Sequence, residues 1–311
     1  FAALRGDWSR LFEASAGSVF SSWDWLYPWL RRIAPEVSPF VLTARDAGGE
    51  LVGALPLAIE RLRLLTKPLR RLSFLGEREV GSDYLDVLAV RGREEEVARA
   101  FGDHLAAHQG EWDLLDLLDI DESSATPSIL GEALGAEGLE SRLTGRFICP
   151  YERFETGETF EGYLARTSRR KNFLARRRWL EREADCRIEV AASPEELAAP
   201  LDAFFRLRSL RWQDGQAGAD NPRVRAFQRD AAYLLAASGK LRLYTLRAHG
   251  EAAATIFGIV HDRSFHFYQS AYDPRWRARS VGLVLLGATI EDALRLGLRE
   301  YDFLRGDEAY K

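Results

Sequence analysis

The sequence predicts a mixed α/β fold of the α+β kind, built as two related domains, residues 1–150 and 151–311. Three observations carry this. The chain has 311 residues, long for one domain and comfortable for two. Its 46% hydrophobic and 29% charged composition is that of a globular protein with a large core, which excludes disordered and fibrous classes. A succession of helices, a strand meander, a helix and a strand also occurs twice. Each half has a hairpin in which Gly-Glu leads into an apolar strand, at Ala44–Gly53 and at Leu246–Ala254, so that Glu50 and Glu251 are equivalent.

In chain order, Ser22–Ile33 reads as a helix carrying Trp23, Trp25 and Trp29, closed by Pro35 and Pro39. Phe40–Arg45 and Leu51–Glu60 read as strands across an Asp-Ala-Gly-Gly turn. Further strands are expected at Leu69–Leu75, Tyr84–Val90 and, buried, Trp112–Ile120, with a helix over Glu94–His108. Gly131–Gly145 reads as irregular because of its glycines. After Pro150 the pattern restarts. Ser168 is placed to cap a basic helix reaching about Glu183, and Ser193-Pro194-Glu195-Glu196 is a capped helix start. Pro222–Ala237 is a helix stopped by Gly239. Strands at Leu241–Ala248, Ala252–His261 and Phe265–Tyr272 precede a helix at Val281–Leu296 and a last strand at Arg299–Leu304.

Two segments point to chemistry. The first runs from Tyr272: a strand end, an arginine loop with Arg275, Arg277 and Arg279, then Ser280 and Gly282 opening an apolar helix. The unpaired N–H groups and the dipole at a helix start suit a pyrophosphate, and Gly282 lets phosphate oxygens approach the backbone. Arg277, Arg279, Ser280, Val281, Gly282 and Leu283 are therefore the expected donor-binding residues. A capped core helix with a solvated arginine loop explains the same residues. The second segment is Arg166–Arg182, with eight basic residues and one acid in a chain whose net charge is −4. It reads as an anion clamp, in which Arg170 and Lys171 meet the substrate, or as a solvated helix. Phe173 and Leu180, seven apart, can anchor one side of it.

The run Arg277-Ala278-Arg279-Ser280-Val281-Gly282 resembles the Gln/Arg-x-x-Gly-x-Gly/Ala loop of GNAT acyltransferases, with Ser280 in place of the first glycine. Tyr301–Lys311 (YDFLRGDEAYK), Ser270–Pro274, Leu55–Ile59, Ser82–Asp86 and Leu210–Trp212 are similar to the CelD-type and FemAB-like branch of that superfamily. The resemblance spans nearly the whole chain. It implies two tandem GNAT-like domains, each a mixed, largely antiparallel sheet flanked by helices. The donor is expected in the second domain, at Arg277–Leu283, and not in the first, where no comparable arginine-glycine loop opens a helix around Ser73–Asp86. The resemblance implies acyl transfer from acetyl-coenzyme A or another acyl-coenzyme A to an amine or hydroxyl, on a small molecule or a cell-envelope precursor.

Such a reaction needs a polarised carbonyl, a base and a stabilised thiolate. The resemblance assigns the last role to Tyr310, with Asp307 and Glu308 as base or as orienters of one. The acceptor is expected near Tyr272 and Asp302, with Arg211 and Trp212 at the end of a helix touching it. Two rivals stand beside this: a FemAB-like peptidyltransferase using aminoacyl-tRNA, which the basic helix favours, and a non-catalytic module binding an anionic partner.

Other signals are weaker. His104 and His108 are four apart without a third ligand nearby, and Asp113, Asp116, Asp119 and Asp121 divide between strand faces, so no metal site is read. Asp83 and Asp86 are further candidates for a cleft, and Glu251 for a base. Cys149 and Cys186 form no motif. No apolar run reaches the roughly 18 residues of a membrane helix, and Phe1–Arg10 has no leader-like stretch, which gives a cytoplasmic expectation.

Overall fold

The computed structural model describes residues 1–64, 67–77, 80–211 and 221–306. The chain divides into two compact units, Phe1–Gly145 and Arg146–Lys311.

The first unit opens with α1 (Arg5–Ala14) and α2 (Trp23–Arg32). The tryptophans of this region are core anchors. Trp8, Trp25 and Trp29 are buried, and their indole N–H groups donate to Ser21 O, Ser82 Oγ and Glu77 O at 3.0, 2.8 and 2.6 Å. Buried indoles need such partners, so α2 fixes the loop that carries Glu77 and Ser82. Strands β1 (Ser38–Arg45), β2 (Leu51–Leu64) and β3 (Lys67–Phe74) form an antiparallel meander. The two-residue β4 (Leu88–Ala89) pairs with β2. Helix α3 (Glu94–Ala107) then crosses to β5 (Leu114–Asp116), which runs parallel to β3, and α4 (Thr126–Ala136) packs on α3.

Three local expectations are corrected here. Tyr84–Val90 is mostly loop, with only Leu88–Ala89 paired. The Trp112–Ile120 strand shrinks to Leu114–Asp116 and is not buried, because its neighbours Asp113 and Asp116 hold Arg70 and Arg71. Gly131 and Gly135 lie inside α4 instead of breaking it. Burial of Ile129, Leu130 and Leu134 against α3 outweighs the roughly 1 kcal/mol each glycine costs a helix. Gly102 permits the contact, since a Cβ there would sit 2.8 Å from Ala133.

The second unit begins with β6 (Tyr151–Arg153), α5 (Phe160–Arg166), α6 (Arg170–Glu183) and β7 (Arg187–Ala191). The Ser193–Glu196 capping box is present and leads into α7 (Ala198–Arg211), followed by α8 (Pro222–Ala237). Strands β8 (Leu241–Ala248), β9 (Glu251–His261) and β10 (Ser264–Tyr272) make the meander. Helix α9 (Val281–Arg295) crosses to β11 (Glu300–Asp302), parallel to β10. The sheet order is β6-β11-β10-β9-β8-β7. The plan β1-β2-β3-α3-β5 thus recurs as β8-β9-β10-α9-β11, each time with the last strand parallel to the third.

Helices cover both faces of the second sheet. On one face α9 and α6 bury Tyr244, Leu246, Ile256, Phe265, Phe267 and Tyr301. On the other, α7 places Phe204 against Phe257.

Candidate functional site

Strands β10 and β11 pair over three residues only: Ser264 with Glu300, Phe265 with Tyr301, His266 with Asp302. Beyond this the strands part. Phe303 N donates to Pro150 O and Gly306 N to Ile148 O, so the chain after β11 follows the β6 side. β10 continues to Tyr272 without that neighbour. A wedge therefore opens in the sheet, its closed end at His266 and Asp302.

That closed end is buried. His266 Nδ1 lies 3.4 Å from Asp302 Oδ2, and Asp302 Oδ1 accepts Leu304 N at 2.7 Å. Tyr301 and Phe303 join the core under α9, so strand alternation puts Asp302 on the opposite face, towards α7. The pairing of β9 with β10 shifts register between Phe267 and Gln269, leaving Tyr268 as the extra residue. Such a bulge re-aims side chains. Here it brings both Tyr268 and Gln269 to the buried Gln228 of α8: Gln228 Nε2 donates to Tyr268 Oη at 3.2 Å and to Gln269 Oε1 at 2.9 Å. Arg208 of α7 completes the group by donating to Gln228 Oε1 at 2.9 Å and to Gln269 Oε1.

The other end of β10 leads to α9. Asp273 Oδ1 accepts Arg275 N at 2.9 Å and starts a 3-10 turn over Pro274–Arg279. The Arg275 guanidinium holds the buried Asp273 carboxyl below the usual carboxylate range. It also binds Glu251 at 3.0 Å, so Arg275 and Glu251, both candidates from sequence, neutralise each other. Ser280 caps α9 with φ 55° and ψ 40°, the left-handed region that glycine enters without strain. This explains why the GNAT loop pattern has glycine where this chain has serine. Among the described residues, the N–H groups of Val281, Gly282 and Leu283 make no backbone hydrogen bond. A Cβ built on Gly282 meets nothing within 4 Å. No acid lies in the first turn of α9, whereas α3 starts with Glu94, Glu95 and Glu96.

The basic segment joins this loop. Phe173 and Leu180 are buried, as their spacing predicts, and fix α6 beside α9. Gly287 makes the approach possible, because a Cβ there would sit 2.1 Å from the Phe173 ring. Arg176 Nη1 then donates to Ala278 O at 3.1 Å, and the Arg279 guanidinium sits 3.8 Å from the Trp179 ring centroid. Arg277, Arg279, Arg170, Lys171 and Arg178 are all exposed. The two charged signals, about a hundred residues apart in sequence, thus meet where Arg176 and Trp179 of α6 touch the loop that precedes α9.

A buried lock holds α9 in place. Asp292 Oδ2 accepts from Tyr244 Oη at 2.7 Å and Arg242 Nε at 2.8 Å, and Arg295 also pairs with Asp292. Burial opposes ionisation of Asp292, yet the tyrosine hydroxyl and the two guanidinium groups outweigh it and lower its pKa. Burial and that carboxylate raise the pKa of Tyr244.

The expected acceptor residues are not brought together. Tyr272 packs towards the α9 face, six residues and roughly 20 Å along β10 from His266, while Asp302 lies at the closed end on the other face. Arg211 ends α7. Trp212, Asp307, Glu308 and Tyr310 lie outside the described residues. In the first unit, Asp83 is buried and Asp86 Oδ1 accepts Val87 N at 2.7 Å. His104 and His108 stack on each other, and no group of three described His, Cys, Asp or Glu residues could hold a metal. His266, Gln228 and Gln269 were missed. His266 sits between Phe265 and Phe267 and reads as part of an apolar strand, and the bulge that re-aims Gln269 has its glycine, Gly258, on the partner strand β9 and none on β10 itself.

Residues 167–311 match the family model of the acetyltransferase (GNAT) domain. No curated protein matches. Among solved structures, FemX aligns with a TM-score of 0.64 and 12% identity, over 97% of this chain and 88% of that one. L-PGS from Bacillus licheniformis aligns with a TM-score of 0.56 and 14% identity, over 98% and 78%. A conserved protein from Bacteroides thetaiotaomicron aligns with 0.55 and 14%, over 99% and 90%. At these identities the likeness is one of fold. Among the described residues no helix is long and apolar enough to cross a membrane.

Proposed function

We propose, for a chain whose residues 167–311 are a GNAT acetyltransferase domain, that the second unit transfers an acyl group from acyl-coenzyme A to an amine or hydroxyl. The observation that carries this is the start of α9: three unpaired N–H groups, open space at Gly282 and exposed Arg277 and Arg279 on one side of a split sheet. These features fit a pyrophosphate, which the helix start and the guanidinium groups would hold together. The acyl carbonyl would then enter the wedge between β10 and β11. There the acceptor's nitrogen or oxygen bonds to the carbonyl carbon and the carbon–sulfur bond breaks. We assign the departing acceptor proton to His266, oriented by Asp302. The thiolate takes up a proton from Tyr310, the residue indicated by the family resemblance. Gln269 and Arg208 line the wall on the α7 side and would orient the acceptor. The first unit, with three glutamates at the start of α3, repels a phosphate at the equivalent place.

A second reading is favoured by α6. Its exposed Arg170, Lys171 and Arg178 extend the cationic surface beyond what one pyrophosphate needs, which suits the phosphates of an aminoacyl-tRNA as donor. Calorimetric titration separates the two. Acetyl-coenzyme A should bind saturably in the micromolar range, and Gly282→Glu should abolish binding with the fold intact. Binding that survives the substitution removes the pyrophosphate assignment. Salt-dependent tRNA binding without coenzyme binding selects the second donor.

A further inference from the structure

We infer that the β2–β3 hairpin of the first unit is an arm that docks the protein on an anionic lipid surface. The arm is defined by what stops pairing with it. β1 pairs with β2 only as far as Ser38 with Ile59, and β5 meets β3 only from Arg71. Beyond these points the two strands pair with each other, Arg61 with Arg70, Leu62 with Leu69, Arg63 with Pro68 and Leu64 with Lys67, and among these residues Arg70 alone is still held from the β5 side, its O accepting Asp113 N at 2.9 Å. A two-stranded ribbon thus projects past the sheet.

Its base is neutralised and its arm is not. At the base, Arg71 binds Glu60, Glu77 and Asp116 at 3.2, 3.0 and 2.8 Å. Arg70 binds Asp113 at 2.9 Å and Gly110 O at 2.6 Å. Further out, Arg61, Arg63 and Lys67 are exposed, and none forms an ion pair with another described residue. No acid occurs anywhere between Arg61 and Gly76. The cross-strand register places Arg61 and Arg63 on one face with Pro68, and the Leu62–Leu69 pair on the other, with Leu62 41% exposed.

Charge complementarity therefore selects a polyanion, and the remaining chemistry selects lipid. The segment Arg61–Arg70 contains only Arg, Lys, Leu, Thr and Pro. It has no aromatic ring to stack on a base and no amide to read a base edge. Leucines alternating with cations match a bilayer interface, where the apolar groups enter the acyl boundary and the cations meet the phosphates.

The test is co-sedimentation of the full chain with vesicles of phosphatidylcholine alone or with about one-third phosphatidylglycerol. Binding is expected only to the anionic vesicles. R61E/R63E/K67E should lower the partition coefficient by about 100-fold, at about fivefold per cation. Leu62→Ser should weaken binding most at high salt, where the apolar contact remains after screening. Circular dichroism confirms the fold of each variant, and acetyl-coenzyme A titration keeps this result separate from the donor site. Equal binding to both vesicles, or anionic binding unchanged in the triple variant, overturns the proposal. So does loss of duplex RNA binding in the triple variant with lipid binding intact.

Discussion

At the residue scale, buried polar groups carry the clearest consequences. Thr245 and Thr255 face each other across β8 and β9, both buried, and neither hydroxyl has a hydrogen-bond partner among the described residues. An unsatisfied buried hydroxyl is costly, so Thr255→Val should stabilise the fold by about 1 kcal/mol. A thermal melt checks this, and a lower midpoint would show that the hydroxyl is used. Glu77 is the second case. Burial pushes its carboxyl up to about 7, against the pull of Arg71 and the Phe74 N–H. Its folded pKa lies above the ordinary glutamate value of 4.5, so its stabilising contribution is full below pH 4.5 and lost as pH rises through 7. Urea unfolding should show stability falling between pH 5 and pH 8, and Glu77→Gln should remove a part on the order of 2–3 kcal/mol. An unchanged pH slope in the variant would clear Glu77 of that role. Sequence did not reveal either group, because burial and unmet partners belong to packing. It did show where α9 starts, with Gly282 in its first turn and Arg277 before it, because a helix start is a local signal.

At the element scale, the contact between α6 and α9 decides whether the basic surface is one site or two. It rests on Phe173 fitting over Gly287. Gly287→Ala forces a methyl into the ring, and overpacking of this kind costs about 1–3 kcal/mol. The variant should melt lower and bind acetyl-coenzyme A several-fold more weakly, because Arg176 would lose its hold on Ala278. A lower melting point with unchanged affinity would separate α6 from the donor site. The elements themselves were legible where the pattern is strong. The meander β8-β9-β10, the Ser193 capping box and α8 follow from alternation, caps and turns. α4 was not, since its glycines mislead until the packing against α3 is known. Nor was the length of β5, where the charged partners of Arg70 and Arg71 displace the expected buried strand.

At the scale of the whole molecule, the chain repeats one plan with different chemistry. Three antiparallel strands, a crossover helix and a parallel strand occur in each unit, and the hairpins around Glu50 and Glu251 announce this in the sequence. Equivalent positions have diverged: Asp116 and Asp302 end corresponding strands, but Asp116 binds Arg71 and Asp302 faces His266. The crossover helices differ most, with three glutamates opening α3 and no acid opening α9. The sequence resemblance pointed to the second half as the donor side, while the wedge and its His266–Asp302 end needed the strand register. The central claim is that the donor binds at the start of α9 and not at the start of α3. Hydrogen exchange of the full chain, with and without saturating acetyl-coenzyme A, tests it most directly. Slowed exchange is expected over residues 277–284, with no change over residues 91–97. Protection at the start of α3, or binding that leaves residues 277–284 unprotected, would contradict it.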